Sequence, residues 1–234
     1  MDTPQNAAFS GRALPADPLG PVLDGWWAGA ERKPSPNNKP RPQGLRPWLI
    51  IAHNISLPPF RYGLGGPLKL FCNEIGEAES DPFLISVRDM RVAPHFFVQR
   101  DGKVWQTTSC ELMAFHAGAS DFEGHGPCNP YSIGVEIEGC DFEPFERAQY
   151  DSFNALLAAL AQAYPIEAVA GHSDVAPGRK TDPGDFFDWD RIALPPGCRI
   201  ARNPAAQRGP NRPLRGRALG ESGASKKGGK AEGK

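Results

Sequence analysis

Residues 48–55 read WLIIAHNI. Five consecutive apolar residues followed by His53 and Asn54 suit a strand buried on both faces that ends in polar side chains. Residues 132–139 read SIGVEIEG. There Ile133, Val135 and Ile137 alternate with Gly134, Glu136 and Glu138, so one face of a strand is apolar and the other carries two carboxylates. Working outward, residues 95–106, HFFVQRDGKVWQ, place two β-rich runs around Arg-Asp-Gly and predict a hairpin. Residues 143–164 carry Phe145, Phe153, Leu156, Leu157, Leu160 and Tyr164 at three- and four-residue spacings, an amphipathic helix stopped by Pro165. Residues 167–171, EAVAG, form a short strand leading into His172. Strands and helices are interleaved, so the expected class is α/β or α+β, a single domain around a central mixed β-sheet flanked by helices.

The chain has 234 residues, and Gly and Pro together make 51 of them, about 22% against roughly 12% in an average protein. That excess belongs in loops and ends. Residues 56–82 read as a long loop with a short helix around residues 68–75, and a loop of that length is usually functional or mobile. A further helical or loop segment follows Pro183, through Trp189 to Leu194. Residues 1–22 read as a disordered extension, 23–198 as the folded domain and 199–234 as a basic disordered tail.

The formal net charge is −1, but residues 199–234 hold ten Lys/Arg against two Glu, which leaves 16 Lys/Arg and 25 Asp/Glu in residues 1–198. The body is therefore acidic, which argues against a domain whose main surface binds nucleic acid. No segment approaches the roughly eighteen apolar residues of a membrane span, and the first residues lack the basic start and apolar stretch of a secretory signal. The five cysteines are odd in number and scattered, which argues against a disulfide framework and for a reducing compartment, the cytoplasm.

Chemistry concentrates at strand ends. His53 follows WLIIA, His172 follows EAVAG, and Asp182 comes ten residues after His172 in GHSDVAPGRKTDPG. Two imidazoles and a carboxylate, with a fourth position left for water, make a usual catalytic zinc set. Spacing alone is weakly specific, because His53 and His172 lie 119 positions apart and no local H-E-x-x-H or C-x-x-C fixes them. A histidine at a strand end is more often an ordinary hydrogen-bonded residue. Lys180, two residues before Asp182, either faces the same site to stabilise an oxyanion or is a solvated lysine. Glu136 is the candidate general base and acid, Glu138 the runner-up, and the alternative for both is a polar face turned to solvent.

HNISLPP from His53, HFFVQRDGKVWQ from His95, FHAG at residues 115–118, SIGVEIEG from Ser132 and GHSDVAPGRKTDPG from Gly171 occur in one order. Together they resemble the AmpD-type 1,6-anhydro-N-acetylmuramyl-L-alanine amidases, zinc enzymes of the broad fold shared with phage lysozyme-type amidases and peptidoglycan-recognition proteins. DGWWAGAERKPSPNNKPRP near the start resembles the same family, so the likeness spans roughly residues 23–194. The resemblance implies one zinc ion on His53, His172 and Asp182, Glu136 as general base and acid, and Lys180 stabilising the tetrahedral intermediate. It implies substrate contacts at Asn54, Arg91 and His116. His95, starting a strand, reads as structural, and His125, which carries no motif, as an exposed loop residue. The implied reaction is hydrolysis of the lactyl–L-Ala amide of anhydro-muropeptides during peptidoglycan recycling in the cytoplasm, by a monomer acting on a small molecule, with no nucleic acid or membrane as partner. Rival readings are an amidase of intact peptidoglycan, a non-catalytic muropeptide-binding module, and an interaction protein working through the basic tail. The chain departs from the family pattern at Phe115, where Trp is expected, at Pro127, where Arg is common, and at Pro130, where Asp is usual; these bear on substrate affinity.

Overall fold

The computed structural model describes residues 20–206. Most of the extension expected over residues 1–22 and the tail from residue 207 lie outside the described residues. In chain order the elements are β1 (Val22–Leu23), β2 (Trp26–Trp27), β3 (Glu31–Arg32), β4 (Asn38–Pro40), β5 (Leu49–Ile55), α1 (Gly66–Phe71), α2 (Pro82–Val87), β6 (Phe96–Val98), β7 (Val104–Gln106), β8 (Leu112–Ala114), β9 (Ser132–Glu138), α3 (Arg147–Ala163), β10 (Ala168–Gly171), α4 (His172–Val175) and β11 (Arg199–Ile200). Seven strands form one mixed sheet in the order β11-β10-β5-β9-β6-β7-β3. From β11 to β6 every neighbour is parallel, and the β6–β7 hairpin supplies the antiparallel pair. Two small antiparallel pairs, β1–β2 and β4–β8, lie outside this sheet.

The alternation of side chains along each strand divides the interior. Ile50 and Ala52 of β5, Ile133, Val135 and Ile137 of β9, Phe96 and Val98 of β6 and Val169 of β10 all face α3. The helix buries Tyr150, Phe153, Leu156, Leu157 and Leu160 against them, each worth roughly 1.5–3 kcal/mol on leaving water. It ends where expected: Tyr164, before Pro165, is extended at φ −131°, ψ 153°, as a residue preceding proline favours.

The opposite face carries two smaller apolar clusters. Leu49, Ile51, Ala168 and Ala170 pack on Ala117, Phe122, Cys128, Tyr131 and Val175. Phe97 packs on Leu57, Leu68, Leu70, Phe71 and Leu84. The loop expected over residues 56–82 is thus a packed wall with a helix at Gly66–Phe71, slightly earlier than the one expected around residues 68–75. Between the two clusters, on the same face, lie His53, Gly134 and Glu136. The sheet also extends past the boundary expected at residue 198, because Arg199 and Ile200 add a strand beside β10. Two residues of ladder inside a basic, glycine-rich run are too short to show an apolar period.

Candidate metal centre and active site

Parallel strands present their carboxyl ends together, which is where ligands bind in open sheets of this kind. His53 sits near the end of β5 and is directly opposite Glu136 of β9. Gly171, the last residue of β10, pairs with Ala52, so His172 follows at the level of His53. Asp182 returns to the same place through a tight turn. Arg179 and Lys180 donate backbone N–H groups to Ala176 O at 3.1 and 3.0 Å, and Ser173 N–H donates to Asp182 O at 2.9 Å.

Three ligand atoms converge. His53 Nδ1 lies 3.0 Å from His172 Nδ1 and 3.1 Å from Asp182 Oδ2, and His172 Nδ1 lies 3.0 Å from Asp182 Oδ2. A tetrahedral zinc with ligands at roughly 2.0–2.1 Å has ligand–ligand edges of about 3.3 Å, so this triangle fits such an ion. The chemistry fits as well. Nε2 of His172 faces Ala117 O at 3.1 Å, an acceptor, which puts the ring proton there and leaves Nδ1 bare. Two imidazole nitrogens and a carboxylate oxygen aimed at one point suit a cation. This is the one convergent set of three metal-ligating side chains among the described residues.

The electrostatics favour the forms that ligate. Burial lowers His53 to about 4, aided by His172 and opposed by its hydrogen bond with Asp182, so the ring is neutral at pH 7. Burial alone would raise Asp182, but its hydrogen bonds with His172 and His53 outweigh that and hold it well below the usual carboxylate range. The histidines are 1% and 3% exposed.

The two glutamates of β9 differ. Glu136 Oε2 is buried without a hydrogen-bond partner. Burial and the Asp182 charge raise its affinity for a proton, and the Lys180 charge opposes them. Glu138 accepts from Gly63 N at 2.7 Å and Arg100 N at 3.2 Å, so both its oxygens are committed to backbone. Glu138 is buried and Glu136 partly buried, and β9 is the middle strand of the sheet, so neither lies on an exposed edge. Lys180 is exposed, and its charge reaches both Glu136 and His53.

Three residues singled out as substrate contacts have protein partners. Asn54 Nδ2 donates to Asp141 Oδ1 at 2.6 Å. Arg91 is exposed and donates to Arg88 O and Met90 O at 3.0 and 3.3 Å. His116 Nδ1 lies 3.0 Å from His53 Nε2, beside the candidate ligand. His95 is buried, accepting from Gly134 N and facing Leu112 O. His125 is exposed against Trp48.

Several supporting residues gave no sequence signal. Asn129 Oδ1 accepts from His116 N and Ala117 N at 3.3 and 2.8 Å, holding the FHAG loop. Arg179 donates to Ala117 O at 2.8 Å. Arg41 donates to the carbonyls of Cys110, Asn129, Pro130 and Ser132. These contacts span 12 to 91 residues and leave no local periodicity.

The family model described as N-acetylmuramoyl-L-alanine amidase matches residues 44–185. The chain is 43% identical over 174 residues to the 1,6-anhydro-N-acetylmuramyl-L-alanine amidase AmpD of Escherichia coli K12, covering 73% of this chain and 93% of the relative. It is 36% identical to the Haemophilus influenzae enzyme of the same name, covering 68% and 87%. A crystal structure of a selenomethionine AmpD derivative superposes with a TM-score of 0.72 at 39% identity, over 74% of this chain and 99% of that one. With that match and the mixed sheet described above, the chain belongs to the N-acetylmuramoyl-L-alanine amidase family.

Proposed function

We propose that this amidase hydrolyses the amide between the lactyl group of 1,6-anhydro-muramic acid and the L-Ala of a stem peptide, using one zinc ion held by His53, His172 and Asp182. The observation that carries the reading is the 3.0–3.1 Å triangle of their ligand atoms beside the unpartnered Glu136 carboxylate. The name of the relatives supports the anhydro sugar and the bond cut.

When bound, zinc supplies a Lewis acid for the amide carbonyl and acidifies a water. Glu136 Oε2 takes a proton from the attacking water as the new C–O bond forms. The Lys180 ammonium stabilises negative charge on the carbonyl oxygen. Glu136 then gives the proton to the L-Ala nitrogen as the C–N bond breaks, leaving a lactyl carboxylate and a free stem peptide. Asn54, Arg91 and His116 were the expected substrate contacts. Asn54 and Arg91 keep that assignment within this proposal, Arg91 for its fit to a peptide carboxylate, while His116 is taken up below.

We place the reaction in cytoplasmic recycling of soluble wall fragments. All five cysteines are free, as a reducing compartment requires, and no helix among the described residues is long and apolar enough to cross a membrane. The test is hydrolysis of purified anhydro-muramyl tripeptide, followed by mass spectrometry, with chelation and zinc add-back, beside intact sacculi. Tripeptide released only by the metal-loaded protein, with sacculi untouched, is expected. A folded, zinc-loaded protein that releases none overturns the reading.

A further inference from the structure

Alternate residues of β9 on the face away from α3 are Ser132, Gly134 and Glu136. Glu136 has a role in the reaction above. The other two meet the His116 ring. A Cβ on Gly134 would lie 2.4 Å from Cγ and Nδ1 of His116, so no side chain fits there while the ring stays. Ser132 Oγ lies 3.1 Å from His116 Nε2, and His53 Nε2 lies 3.0 Å from His116 Nδ1. The three groups form a continuous line, Ser132–His116–His53, over the gap left by Gly134.

The middle and one end of the line are pinned through their backbone. Asn129 Oδ1 holds the backbone N–H groups of His116 and Ala117, and Arg41 holds Ser132 O at 2.9 Å. The direction of the hydrogen bonds is then set by chemistry. A His53 that ligates through Nδ1 carries its proton on Nε2, and that proton faces His116 Nδ1. His116 must accept there, so its own proton sits on Nε2 and faces Ser132 Oγ. Both ring nitrogens of His116 are used by the protein, and neither is left for a substrate.

We infer that His116 is a positioning residue for the metal centre: it accepts the Nε2 proton of His53, donates its own to Ser132, and so fixes the tautomer and orientation of that ligand. Ala117 O does the same for His172, so one dipeptide, 116–117, orients both imidazoles. This inference rests on the reading of His53 as a zinc ligand. Partners of this kind, which hold a ligand rather than the metal, typically change metal affinity ten- to a hundredfold when removed.

The test is the zinc dissociation constant, by competition with a chromogenic chelator, for the wild type, H116F, H116Q and S132A, with melting curves of each metal-free protein to establish folding. H116F fills the space over Gly134 without hydrogen bonding and is expected to weaken zinc binding roughly ten- to a hundredfold. S132A is expected to weaken it less. H116Q, whose amide carries both an acceptor and a donor, is expected to recover most of the affinity. Wild-type affinity in H116F and S132A, with KM for the muropeptide raised in H116F, overturns the relay and returns His116 to substrate binding. A wild-type protein that takes up no zinc overturns the metal reading itself, which distinguishes the two failures.

Discussion

Two glutamates stand two residues apart on one strand, and their surroundings give them opposite chemistry. Glu136 has a free buried oxygen, whereas Glu138 ties Gly63 and Arg100 to the sheet. Glu136→Gln is therefore expected to keep zinc yet lose turnover by roughly 10²–10⁴-fold, the usual worth of a positioned acid–base group, measured as kcat beside metal content. Glu138→Gln turns an amide N–H₂ toward the Arg100 or Gly63 N–H, and is expected to lose about 1–3 kcal/mol of stability while keeping turnover when folded. The sequence showed both carboxylates on one face and put Glu136 ahead of Glu138, but it held no sign of the partners that commit Glu138, because Gly63 and Arg100 are 75 and 38 residues away from it. His53 is depressed to about 4 in the folded protein, against about 6.5 when unfolded. Between those values the unfolded chain binds a proton that the folded one refuses, so stability is present above pH 6.5 and falls as the pH drops toward 4. Going from pH 7 to pH 5, His53 alone is expected to cost the metal-free protein about 2 kcal/mol in urea unfolding. Asp182 adds no slope there, since its folded value is depressed and the unfolded carboxyl is already ionised at pH 5. Flat stability across that range would contradict the burial of His53.

At the scale of elements, α3 covers the sheet face behind the site, and its apolar stripe was readable residue by residue. Phe153 is 1% exposed and meets Phe187 in a T-shaped, edge-on contact with centroids 6.2 Å apart and ring planes at 67°. Phe153→Ala is expected to destabilise by about 3–5 kcal/mol, read by denaturant midpoint, with zinc affinity of the folded fraction unchanged because the site lies across the sheet. The front wall was less legible. Residues 56–82 show no sustained period, yet Leu57, Leu68, Leu70 and Phe71 close over Phe97. Their burial depends on Phe97 in a strand reached later in the chain, and on Asn37 Nδ2, which donates to Phe71 O at 3.0 Å from a segment 34 residues earlier. Short helices of six residues carry too few turns for amphipathicity to register.

For the molecule as a whole, the composition shift near residue 199 was a poor guide to where folding stops. Arg199 N donates to Glu167 O and Ala201 N to Val169 O, extending the β10 edge. Arg202 pairs with buried Asp174 at 3.0 Å, and Asn203 N donates to the same carboxylate. Asp174 in turn receives Gly171 N at 2.8 Å, one residue before His172. A chain ending at residue 198 is expected to be about 3 kcal/mol less stable than one ending at 206, because Asp174 loses its charged partner; equal urea midpoints for the two would refute this. Local pattern in the sequence was enough for the set of elements and the donors they carry: apolar runs leading to His53 and His172, an alternating strand bearing Glu136, a helix with one apolar stripe, and Asp182 held close to His172 in chain. Those follow from side-chain period and local turn chemistry, which act over a few residues. Tertiary structure alone decided that atoms 119 and 129 residues apart meet within 3.1 Å, that Glu136 lies opposite His53, and that Ser132 and Gly134 cradle His116. Sheet order and parallel register come from burying both faces of β5 and β9 at once, a condition on distant segments that no local pattern encodes.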